Sequence, residues 1–207
     1  MRKLSLLSFF IFVSFLSFLK VSAQDTLVLM NGKRINGNVL EIQEKAIKYR
    51  IGSNPKSPIH SIKPYRVFAI NKNDGTEKVI FAPDTLDQSD YTIPQLRTFI
   101  KGERAAQTGY NNTLNKALAF VAGAGASYFS IYGLVVPALY SSIVGASSPD
   151  INKQKNVDPA LANVPEYQDG YLTITRQKKI RNSFVAGMIG FAVGFTTQAI
   201  IGNNTKK

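Results

Sequence analysis

Ala117 to Gly145 reads ALAFVAGAGASYFSIYGLVVPALYSSIVG, 29 residues without a charge, and the fold turns on where that stretch is placed. The nearest charges are Lys116 before it and Asp150 after it. At about 1.5 Å per residue, a straight helix of that length exceeds the roughly 30 Å of a bilayer's hydrocarbon core. Tilt, frayed ends or a kink at Pro137 must absorb the excess. A second uncharged run, Phe184 to Gly202 (FVAGMIGFAVGFTTQAIIG), has 19 residues, close to the minimum for a span. Two transmembrane helices, 117–145 and 184–202, are therefore expected. The competing reading is a buried helical pair in a soluble protein, because serine, tyrosine and glycine dilute the apolar character of both runs.

Glycine placement favours lipid. Gly190 and Gly194 form a GxxxG pair, and Gly187 lies three residues earlier on nearly the same face. In the first run Gly123 and Gly125 alternate with Ala122, Ala124 and Ala126. No hydrophobic effect drives helices together in lipid, so small residues that let backbones approach supply the contact. In a soluble helix each glycine costs about 1 kcal/mol relative to alanine. Gly187, Gly190 and Gly194 are accordingly expected at helix–helix packing, with homo-oligomerisation through the glycine-rich faces as a further expectation.

Between the runs lies a basic segment, 146–183. It carries Lys153, Lys155, Arg176, Lys178, Lys179 and Arg181, the last four close to the second run. Basic residues resist translocation, so the segment reads as a cytoplasmic loop, with Gln24 and Lys207 both outside. Lys101, Arg104, Lys116 and the pair Lys206-Lys207 fall on the outer side and oppose that assignment. Arg176, Lys178, Lys179 and Arg181 are also candidates for contact with anionic headgroups. A run of this kind equally serves as the topology determinant alone.

The start of the chain agrees with export. Arg2 and Lys3 precede the apolar run Leu4 to Leu19, and Val21-Ser22-Ala23 ends it with small residues before Gln24. That is the pattern of a cleaved signal peptide, 1–23, with an uncleaved anchor helix as the alternative. The chain has 207 residues, 44% of them hydrophobic, and a formal charge of +12 that removal of Arg2, Lys3 and Lys20 lowers to +9. A basic balance suits nucleic acid, anionic lipid or an acidic polymer, and export makes nucleic acid the poorest fit. The absence of cysteine excludes disulfides, zinc–thiolate sites and a lipid-attachment cysteine.

Residues 24–83 read as a small all-β module. Thr26–Met30 runs into Asn31-Gly32, a strong hairpin signal, because both residues tolerate positive φ. Arg34–Ile42 forms a second strand in which Gly37 suggests a bulge or tight bend. Ile47, Tyr49 and Ile51 alternate with Lys48 and Arg50, giving one buried and one wet face. Gly52–Pro58 is a loop. Arg66–Ile70 and Thr76–Phe81 pair around Asn73-Asp74-Gly75. Five or six short strands suit an SH3-like or Sm-like barrel, or a curled sheet. The fold class is thus α+β, a β-module followed by helices. A linker and mildly amphipathic helix, 84–116, joins the two, with Thr92 as cap and Pro94 in the first turn. Gly102 and Gly109 weaken that helix, and 203–207 is a tail.

The pattern DTLVLMNGKRINGNVLEI, then IKYR, then NDGTEKVI resembles a β-module recurring in exported proteins of Bacteroidota. There an Asp-x-hydrophobic strand meets Asn-Gly and is followed by Ile-x-Gly-x-Val. The likeness covers 25–82 and extends loosely to Tyr167-Gln168-Asp169-Gly170-Tyr171 with its following basic stretch and glycine-rich helix. The family has no assigned activity, so the resemblance implies an envelope setting and no site residues.

Chemistry-bearing motifs are sparse. His60 is the single histidine, beside Ser57, Ser61 and Lys63, and no acid or nucleophile is selected to join it in a triad; it reads as a surface or strand residue. The carboxylates are scattered without metal-ligand spacing, so no cofactor or metal is expected. Gly123-x-Gly125 lies inside an apolar run and cannot be a phosphate loop. Asp25-Thr26-Leu27 and Asp84-Thr85-Leu86 resemble a short O-glycosylation acceptor pattern. The expectation is a non-enzymatic membrane protein of the cell envelope. Its basic module, with Lys33, Arg34, Lys45, Lys48, Arg50, Lys56, Lys63 and Arg66, would bind a protein or acidic polymer. A pore built from the spans, or an enzyme with its site in the module, is the alternative.

Overall fold

A computed structural model describes residues 24–83, 91–154 and 156–204. The signal segment, the connector 84–90 with Asp84-Thr85-Leu86, Lys155 and the residues from 205 onward lie outside the described residues. The chain divides into two units, Met1–Ala82 and Pro83–Lys207.

The first unit is an open, antiparallel sheet of six strands: β1 (Asp25–Leu29), β2 (Arg34–Ile42), β3 (Ile47–Ile51), β4 (Ile59–Ile62), β5 (Val67–Asn71) and β6 (Glu77–Val79). The order β4-β3-β2-β1-β5-β6 puts β1 at the centre and leaves β4 and β6 as unpaired edges, so the curled-sheet reading holds and the barrel does not. Leu27, Leu29, Ile47, Tyr49, Ile62, Val67 and Ile70 form its apolar core, with alternate residues pointing to one face. Gly32 and Gly75 take positive φ, 73° and 85°, where the two hairpin turns require it. The irregularity in β2 falls between Val39 and Glu41 and not at Gly37. Gly37 has a different job, since a Cβ there would collide with the Arg50 carbonyl across the strand. Asp25 ties the centre together: its carboxylate accepts from Val39 N–H at 3.0 Å and from Asn73 N–H at 3.0 Å. β4 was not legible as a separate strand. It places His60 on an edge, stacked on Tyr49 with ring centroids 5.6 Å apart.

The second unit contains four α-helices among the described residues: α1 (Ile93–Gly109), α2 (Thr113–Ala126), α3 (Val135–Ala146) and α4 (Pro165–Asn204). Two stretches, Thr113–Ala146 and Pro165–Ile201, are long and apolar enough to cross a membrane by length and composition. The first bends back within itself over Ser127–Leu134, where Phe129 (φ −88°, ψ 17°) and Ser130 (φ 56°, ψ −143°) leave helical geometry. Pro137 is not the site of the break. It sits in the first turn of α3, where its missing N–H is one that has no intrahelical acceptor anyway.

The basic segment also differs from a loop. Residues 165–183 are the first half of α4, continuous with the second apolar run. At about 1.5 Å per residue this helix is roughly 60 Å long. Its lower half packs against α1 around Ala105, Ala106, Ile151, Tyr167, Tyr171 and Ile174. That core explains the Tyr167…Tyr171 motif: both rings are buried, and Gly170 between them faces α1.

Candidate functional site

Two features of α4 can act on a partner or a membrane: its glycine face and the basic cluster at its middle. Each begins with the backbone.

A Cβ at Gly190 would collide with the Phe120 carbonyl, and one at Gly194 would come within 3.1 Å of Ala124 Cα. At Gly187 it would meet Pro137 at 3.0 Å and the Ala119 carbonyl at 3.4 Å, so this one position is flanked by both α2 and α3. From the other side Gly123 faces the Gly187 backbone. Gly187, Gly190 and Gly194 therefore lie against α2 and α3 of the same chain. Backbone touching backbone needs residues without side chains, and dispersion between the closely apposed helices is the return. The sequence reading missed the same device lower down. Gly102 faces the Tyr167 carbonyl and Gly170 faces the Phe99 carbonyl, so the glycine read as a weakness in α1 is its point of closest approach to α4.

The four basic candidates divide. Lys178 Nζ donates to the Ala106 and Gln107 carbonyls at 2.9 and 2.6 Å, in the last turn of α1. Lys179 Nζ donates to the Ser147 carbonyl and hydroxyl at 2.8 and 2.9 Å, just past α3. A helix's last carbonyls lack intrahelical donors and carry the negative end of its dipole, so an ammonium there is doubly favoured. Two consecutive residues thus cap two helices, and Lys179 is only 5% exposed. Asn112 adds a bond from its side-chain amide to the Lys178 carbonyl at 3.2 Å. Arg176 and Arg181 face outward. Of the four, only these two are exposed.

Above this node the outward face of the unit is apolar. Leu118, Val121, Ile131, Val135, Leu139 and Ile143 are exposed on the folded-back segment, and Val185, Ile189, Val193 and Ile200 on α4. Two polar side chains of this region are satisfied within the unit. Gln198 donates to Ser127 Oγ at 2.9 Å, and the Thr197 hydroxyl to the Val193 carbonyl at 2.8 Å.

Among the described residues no three His, Cys, Asp or Glu side chains gather as a metal site. One titratable group is unusual. Glu103, on α1, is 4% exposed, its Oε2 has no partner, and desolvation pushes its carboxyl up to about 7. No family model matches the chain, and neither characterised proteins nor solved structures give a match.

Proposed function

We propose that this is a membrane-anchored protein of the bacterial envelope, inserted through α2, α3 and the upper half of α4, and non-enzymatic. Its β-module, on the periplasmic side of the inner membrane, binds a protein or an acidic polymer. One observation carries the anchor: the broad apolar surface that the helices turn outward. A soluble helical pair would bury Val121, Leu139, Ile143 and Ile189 against its own core, whereas here they point away from it. Exposed apolar residues gathered on this scale mark a face that meets a membrane or a partner. Support for an acidic partner is electrostatic, since Lys33, Lys45, Lys56, Lys63 and Arg66 are all exposed on the module. A homo-oligomer would form on the outward residues, because the glycine face is filled by α2 and α3. The pore reading has less support, as a lumen needs polar side chains turned towards it, and Thr196, Thr197 and Gln198 bond to their own helix or to Ser127.

The test is a carbonate wash of membranes carrying the full chain. Retention in the pellet, with release by detergent, is the expected result; recovery in the supernatant would end the proposal. For the module, the detergent-solubilised chain is passed over immobilised polyglutamate. Salt-sensitive retention, lost when Lys33, Lys45 and Lys56 are changed to Glu, is expected, and retention indifferent to those changes would remove the acidic partner.

A further inference from the structure

The contacts of α2 and α3 run along α4 in opposite directions. Going up, the Asn112 amide meets Lys178, Phe120 lies on Gly190, Ala124 lies on Gly194, and Ser127 bonds Gln198. Coming back, Gly133 faces Phe191, Pro137 faces Gly187, Gly145 faces Ile180, and Ser147 bonds Lys179. The chain leaves this helical hairpin at the level where it entered.

Chemistry marks the two ends. The entry level carries Asn112, Lys116, Ser147, Asp150, Lys178, Lys179 and Arg181. The tip carries Tyr128 and Tyr132, 80% and 83% exposed, at the level of Gln198. Tyrosine with one apolar and one polar end belongs where hydrocarbon meets headgroups. Arg181 to Gln198 is 17 steps of α4, a rise of about 26 Å, close to the roughly 30 Å hydrocarbon thickness. The arms, with 14 and 12 residues, rise about 21 and 18 Å before the turn residues are added.

We infer that α2 and α3 form a membrane hairpin that enters and leaves the bilayer on one face, and that α4 alone carries the chain across. Residues 147–164 then stay on the side of α1, and the C-terminal end of α4 emerges on the other. This rests on the membrane reading above. It reverses the arrangement drawn from loop charges, in which 146–183 lies across the membrane from α1 and residue 207 lies beside it. Two of the six basic residues behind that argument, Lys178 and Lys179, are helix caps.

The chain has no cysteine, so single cysteines report without background. Lys101→Cys, on the exposed face of α1, Ser148→Cys, just past α3, and Lys207→Cys are each made in the full chain. Intact cells are treated with a membrane-impermeant maleimide before and after permeabilisation, and only carbonate-resistant protein is scored. The expected result is that 101 and 148 respond alike and 207 oppositely. Opposite responses of 101 and 148 would overturn the hairpin, and 207 responding with 101 would overturn the single crossing. Failure of the membrane reading shows itself separately, as protein in the carbonate supernatant.

Discussion

The two halves of α4 use one packing device in different surroundings. Below the lysine pair, Gly170 faces α1 and Gly102 faces back; above it, Gly187, Gly190 and Gly194 do the same with α2 and α3. The outward faces differ. The lower half turns out Asp169, Thr173, Arg176 and Gln177, the upper half Val185, Ile189, Val193 and Phe195. Close approach through glycine therefore does not identify the solvent. Outward residues do, and the argument from GxxxG to lipid is the weaker of the two.

The largest expected effect comes from forcing the backbones apart. Gly190→Val and Gly170→Val each aim a side chain at a carbonyl that cannot swing aside, Phe120 in one case and Phe99 in the other. Each should destabilise by about 3 kcal/mol. Gly125→Ala is the control, because a Cβ there meets nothing within 4 Å. It should be neutral or gain up to about 1 kcal/mol. Thermal unfolding in detergent, followed by circular dichroism, ranks the three. If Gly125→Ala and Gly190→Val proved equally harmless, the upper glycine face would not be packed.

Titration separates the halves. Glu103, on α1, packs against the lower one, and no carboxylate lies between Gly170 and Asn204 in the upper. Its folded carboxyl is raised from 4.5 to about 7, so the folded protein keeps a proton that the unfolded chain loses. Stability should therefore fall as pH rises from about 4.5 and level off above about 7, by about 3 kcal/mol in total. Glu103→Gln should flatten that slope. Denaturant midpoints at pH 4.5 and 8 measure it, and an unchanged slope in the variant would assign the effect elsewhere.

At the junction of the halves, Lys178→Met and Lys179→Met strip donors from helix-end carbonyls and should each cost about 2 kcal/mol. Arg176→Gln and Arg181→Gln, which face outward, should stay within about 0.5 kcal/mol while weakening adsorption to anionic vesicles. Equal melting temperatures across all four variants would mean that the capping bonds do not form.

These junction residues also mark where the sequence stops being readable. The β-strands were legible because Asn31-Gly32 and Asp74-Gly75 permit positive φ and because Ile47, Tyr49 and Ile51 alternate. β4 was not, being four residues behind a Pro-rich loop. Absence of charge marked 117–145 as long and apolar enough to cross a membrane, but hydropathy counts length and carries no direction, so a hairpin and a straight span look alike. Pro137 misled for a related reason, since a proline kinks a helix interior yet opens a helix at its first turn. Lys178 and Lys179 read as loop charges because their acceptors are backbone carbonyls some 70 and 30 residues away, which no local pattern encodes.

A small effect is the most discriminating. Ser130 holds φ 56° at the hairpin tip, a backbone that favours glycine. If the chain turns there, Ser130→Gly relieves strain and should raise stability by about 1 kcal/mol. If 117–145 were one continuous helix, the same change would place glycine mid-helix and lower stability by a similar amount. The two geometries give opposite signs, so a shift in melting temperature decides between them without any topology assay. Ser130→Val sharpens the result: a β-branched residue is unfavourable at positive φ, whereas it fits an apolar span without difficulty.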